Sequence, residues 1–89
     1  MGDDMRGAGL EQLKKLYQDF EKKSTELQTL IKTLNTETTS STGYWKGPKA
    51  NKFRDEWANV KPTFEKFVQT LSDASKAAKT NHDNIERAT

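Results

Sequence analysis

The sequence predicts an all-α chain, an antiparallel helix-turn-helix hairpin that dimerises into a four-helix bundle. Three observations carry that prediction. Apolar residues recur in alternating steps of three and four along both halves of the chain, the spacing of a single helix face. A run of hydroxylated residues and glycines interrupts the pattern near the midpoint of the 89 residues. Finally, only 31% of the residues are hydrophobic, the mean hydropathy is −1.01 and cysteine is absent, so one hairpin has little to bury by itself.

The first helix is expected over about residues 9–39. Its seam runs Leu10, Leu13, Tyr17, Phe20, Ser24, Leu27, Ile31, Leu34 and Thr38, and Leu16 and Leu30 widen it on one side. A stripe of that width suits a helix with more than one neighbour. The hinge is expected over about 40–47, inside Thr39-Ser40-Ser41-Thr42-Gly43-Tyr44-Trp45-Lys46-Gly47-Pro48. Hydroxyl side chains there compete with helical backbone bonds, and glycine relaxes the chain. Gly47 is placed as the N-cap of the second helix, with Pro48 in its first turn, where the missing N–H is harmless.

The second helix is expected over about 48–86, with a seam at Ala50, Phe53, Trp57, Val60, Phe64, Phe67, Leu71, Ala74, Ala78, Asn81 and Ile85, flanked by Val68 and Ala77. Pro62 lies on the outermost heptad position and predicts a kink near Ala58 to Pro62, since it removes one backbone bond. A break into a three-helix unit is the weaker alternative, because no turn residues accompany that proline. Thr80 to Asn84 are modest helix formers, which predicts a fraying tail.

Two antiparallel helices cannot cover stripes this wide, whereas two hairpins can. A core of this size rarely supplies more than ~3–5 kcal/mol unless a disulfide, a metal or a partner assists it. The dimer or bundle core is accordingly assigned to Leu13, Tyr17, Phe20, Leu27, Ile31, Leu34, Phe53, Trp57, Val60, Phe64, Phe67 and Leu71.

Several function classes find no support. Fifteen basic and 13 acidic residues are interspersed, giving a net charge of +2, which is a solvated surface and not a nucleic-acid footprint. Lys46, Lys49, Lys52 and Arg54 gather at the start of the second helix, where they oppose its dipole, but Asp55 and Glu56 follow at once and the group reads as solvated. With one histidine, no cysteine and no phosphate-binding glycine loop, an enzyme is not expected. No metal-ligand spacing and no cofactor motif is visible. The acidic opening Met1-Gly2-Asp3-Asp4 lacks the apolar region of a cleavable signal peptide, and no segment has the length and apolarity of a membrane span. Lysines alternating with acids disfavour direct action on membranes.

Trp45-Lys46-Gly47, centred between two seams, resembles the signature of the WXG100 (ESAT-6-like) family, and the resemblance extends over the whole chain. It implies a small helical hairpin exported as a folded dimer by a type VII secretion system. Such a protein is cytoplasmic before export and extracellular afterwards. The implied partners are a second copy or a paralogous WXG100 chain, and the system's motor ATPase. Trp45 and Gly47 would shape the hinge, the indole covering the end of the core. The family's C-terminal Tyr-x-x-x-Asp/Glu element falls on His82-Asp83-Asn84-Ile85-Glu86, where the acid is present and the tyrosine is not. His82 and Glu86, four residues apart on one helix face, are the candidate secretion signal. Two other readings stay open: a cytoplasmic adaptor or chaperone for a larger secreted toxin, and a generic coiled-coil interaction module.

Overall fold

The computed structural model describes residues 2–88, with side chains described from Gly9 onward. Helix α1 spans Gly2–Ser40, a single 3-10 turn spans Ser41–Gly43, and helix α2 spans Pro48–Ala88. The two helices fold back on each other as a hairpin rod of 65 × 17 × 16 Å.

The rows along which the helices touch alternate large and small side chains. On α1 the buried residues are Tyr17, Ser24, Ile31 and Thr38, and on α2 they are Ala50, Trp57, Ser75 and His82. Small residues let the two backbones approach, and their hydroxyls then bond across the gap. Ser24 donates to the carbonyl of Val68 at 3.1 Å, and Ser75 donates to the carbonyl of Tyr17 at 2.6 Å. A helical carbonyl has a second lone pair free for such a bond. The Trp57 indole N–H donates to Asn35 Oδ1 at 3.0 Å. In all three pairs the residue numbers share one total, so a single antiparallel register holds from Tyr17 to Asn35. That stretch is about five turns of a straight helix at 3.6 residues per turn.

Several seam residues face elsewhere. Leu13, Phe20, Leu27, Val60 and Leu71 are half-buried, while Leu34, Phe53, Phe64 and Phe67 are exposed in the hairpin. Asn81, placed on the seam by its spacing, is exposed, and its neighbour His82 is inside. The reason is rotational. A residue three or four positions from a contact residue is turned ~40–60° round the helix, so with a single neighbour one of the two heptad positions faces the partner helix and the other faces the flank.

Pro62 lies within α2, which continues unbroken to Ala88, so the three-helix alternative does not occur. Ala58, whose carbonyl loses its usual partner to the proline, is exposed, as is Pro62 itself. Water can satisfy that carbonyl, which keeps the interruption cheap. The tail is helical to Ala88, and the His82 ring meets Tyr17 edge-on at 5.6 Å between centroids, anchoring turns whose propensity is weak.

Trp57 joins the largest buried side chain to an inter-helix hydrogen bond, so its variants separate the two contributions. Trp57→Phe keeps the ring and loses the Asn35 bond, and should lower stability by ~1 kcal/mol in urea melts followed by circular dichroism. Trp57→Ala should lower it by ~3–5 kcal/mol, enough to remove the cooperative transition of the chain.

Candidate functional site

Three features carry the chain's non-structural information: the hinge, one flank of the hairpin, and the C-terminal turn. The hinge is closed by hydrogen bonds. Ser41 donates its hydroxyl to the carbonyl of Thr38 at 2.5 Å, and its own carbonyl receives the N–H groups of Tyr44 at 3.1 Å and Trp45 at 2.7 Å. Arg54 reaches back from α2, donating to Ser41 Oγ at 2.9 Å and to the Trp45 carbonyl at 3.0 Å. Lys46 Nζ donates to the Thr42 carbonyl at 2.7 Å. Cations at the start of α2 thus stand beside the C-terminal end of α1, whose dipole and unpaired carbonyls favour them. Read along the sequence, Arg54 belonged to a solvated face; the hairpin turns it inward.

Gly47 has φ +107, and its carbonyl accepts the N–H of Asn51, so it is the N-cap residue of α2. Only glycine adopts that backbone region without strain. Trp45 does not cover the end of the core. Its indole is 41% exposed and leans on Phe53, with ring centroids 5.8 Å apart. Tyr44 beside it is 75% exposed.

The flank is the largest feature. Leu16, Leu30 and Leu34 on α1 and Phe53, Phe64 and Phe67 on α2 are exposed large hydrophobic residues. At 100° per residue, each set is rotated to the same side of its own contact row, and antiparallel packing brings those two sides together. Half-buried Leu13, Phe20, Leu27, Val60 and Leu71 fill the strip between them. The opposite groove is polar, lined by Gln28, Lys32, Asn35, Lys61, Glu65 and Gln69 beside Ile31 and Val68. The hairpin is therefore amphipathic as a whole, with one greasy side and one wet side.

At the C-terminal turn, His82 is only 7% exposed, so its ring is not presented to the outside. Its Nδ1 lies 3.2 Å from Asp83 Oδ1. One ligand atom from each of His82, Asp83 and Glu86 lies within 4.8 Å of the other two. Spacing alone did not suggest this, since adjacent helical residues start out in different directions; the Asp83 carboxylate swings back toward the ring. Among the described residues no helix is long and apolar enough to cross a membrane.

A family model, WXG100, described as proteins of 100 residues with WXG, matches residues 8–88. No curated protein and no solved structure matches the chain.

The hinge glycines provide an internal control. Nothing lies within 4 Å of a Cβ built on either Gly43 or Gly47, so only backbone conformation distinguishes them. Gly47→Ala should destabilise the chain by ~1–3 kcal/mol, the range for a residue held in a sparsely populated backbone region. Gly43→Ala, with no positive φ to satisfy, should leave the melting temperature unchanged within a degree or two.

Proposed function

We propose, from the premise that the chain belongs to the WXG100 family, that it is exported as a folded hairpin pair by a type VII secretion system and acts by binding protein. The family is one of ESAT-6-like secreted proteins. The observation that carries the proposal is the one-sided apolar flank of Leu16, Leu30, Leu34, Phe53, Phe64 and Phe67, six large hydrophobic residues exposed on one side of the hairpin, the kind of surface that marks an interaction site. A second hairpin, whether another copy or a paralogue, covers it as a four-helix bundle. No chemistry is assigned to the chain: its role is that of effector or co-secreted partner, engaging the motor ATPase on the way out. Nucleic acid has no part in it, because the cations are interspersed with acids or turned into the hinge.

The C-terminal turn favours one version of this reading. The tyrosine position of the family's tail element holds His82, and that ring is buried against Tyr17. His82 therefore has a packing role, and the aromatic part of the tail signal is supplied by the partner chain. Such a pair leaves the cell together, or this chain stays behind as the adaptor of a larger secreted protein.

Immunoblots of culture supernatant from the native host, with and without the motor ATPase, test the proposal. ATPase-dependent appearance outside the cell is expected, and retention in both strains would contradict export. The flank is tested separately by Leu30→Lys combined with Phe67→Lys, both exposed in the hairpin. The pair of changes should bring the solution mass from near twice 10.1 kDa down to that of one chain.

A further inference from the structure

The geometry points to a binding site for a divalent transition-metal ion of the zinc class at His82, Asp83 and Glu86, at the open end of the hairpin. We propose this site from three observations. The first is convergence: one donor atom from each residue lies within 4.8 Å of the others, in a single helical turn of α2. The second is fit. Zinc holds nitrogen and oxygen ligands at about 2.0–2.2 Å, so neighbouring donors of a tetrahedral site stand about 3.4 Å apart. The His82 Nδ1 to Asp83 Oδ1 separation is already 3.2 Å. Glu86 is exposed, and its side chain has only to swing inward by about an ångström and a half to bring the other two edges to that length.

The third observation is that the imidazole is fixed. His82 is 7% exposed and its ring packs edge-on against Tyr17 of the other helix, 5.6 Å between centroids. Metal-binding histidines gain affinity from neighbours that lock the ring in place, and here an inter-helix contact performs that task. A nitrogen donor with two carboxylates suits zinc and its late first-row neighbours, whereas calcium and magnesium prefer an all-oxygen set. Three protein ligands leave the fourth tetrahedral position open, to water or to a donor from whatever packs against the open end.

An ion there would tie the last turns of α2 together and, through the His82–Tyr17 contact, hold the open ends of both helices. This inference is independent of export and stands or falls without it.

The test is calorimetric titration of the full chain, stripped with a chelator, with zinc chloride at pH 7. It is paired with cobalt chloride absorbance as a readout of coordination. One ion per chain is expected, with a tetrahedral cobalt spectrum and a rise in melting temperature on zinc addition. His82→Gln should abolish binding, but that residue is packed and its loss can disturb the fold. Glu86→Gln, on an exposed side chain, keeps the test clean and should weaken binding at least about tenfold, the lower bound for disturbing even an outer-shell partner of a metal. Absence of binding at millimolar zinc would overturn the site. Equal binding by calcium, or zinc binding untouched by Glu86→Gln, would overturn it too, since either would indicate only a diffuse acidic surface.

Discussion

Everything else in this molecule depends on how closely the two helices approach. Their contact rows hold Ser24 and Thr38 on one side and Ala50 and Ser75 on the other, residues too small to keep the backbones apart. The serine hydroxyls, stranded by that approach, bond to carbonyls of the opposite helix and fix the register. Each such bond is worth only about 1 kcal/mol net, yet leaving the hydroxyl unpaired would forfeit more. No buried side-chain polar atom among the described residues lacks a partner. Register is therefore set by polar complementarity around Tyr17, Ile31 and Trp57, and the phenylalanines and most leucines are displaced toward the flank.

That displacement links structure to function. A hairpin that buried its phenylalanines inside would be a finished object. This one places Phe53, Phe64 and Phe67 on the same side as Leu16, Leu30 and Leu34, while Lys32, Lys61 and Glu65 face the other way. If a second hairpin covers that side, as proposed, the flank adds to the hairpin's stability only when paired, and folding is coupled to partner binding. The hinge has a narrower role. Gly47 turns the chain and Arg54 ties the end of α1 to the start of α2, so the flank is presented by two helices held in one plane. Trp45, the residue that marks the family, lies outside the core against Phe53.

Much of this was legible in the sequence. Two helices, a midpoint hinge, the N-cap at Gly47 and the family all follow from periodicity and turn chemistry, signals spread over many residues. The contact row was legible on α1, where Tyr17, Ser24, Ile31 and Thr38 all lie on the seam, and at Ala50 and Trp57 on α2, but not at Ser75 and His82. Large residues dominate a periodicity count, so Phe53, Phe64 and Phe67 outweighed Val68, Ser75 and His82, and a serine carries no hydrophobic signal. The roles of Arg54 and His82 were hidden for a related reason: each is set by its partner across the hairpin, Ser41 and Tyr17, and sequence spacing says nothing of which residues lie opposite. The convergence of His82, Asp83 and Glu86 depended on side-chain rotamers, which spacing does not carry either.

If the exposed flank is an interface, as proposed, the hairpin's fold and its pairing are one equilibrium. The most direct measurement is the melting temperature of the chain, followed by circular dichroism over a hundredfold range of protein concentration. A melting temperature that climbs with concentration, or for a mixed pair climbs only when the second hairpin is added, is the predicted result, because mass action stabilises the paired state. A sharp transition at one temperature across the whole range, unmoved by any second hairpin, would contradict it. The exposed flank would then be no interface.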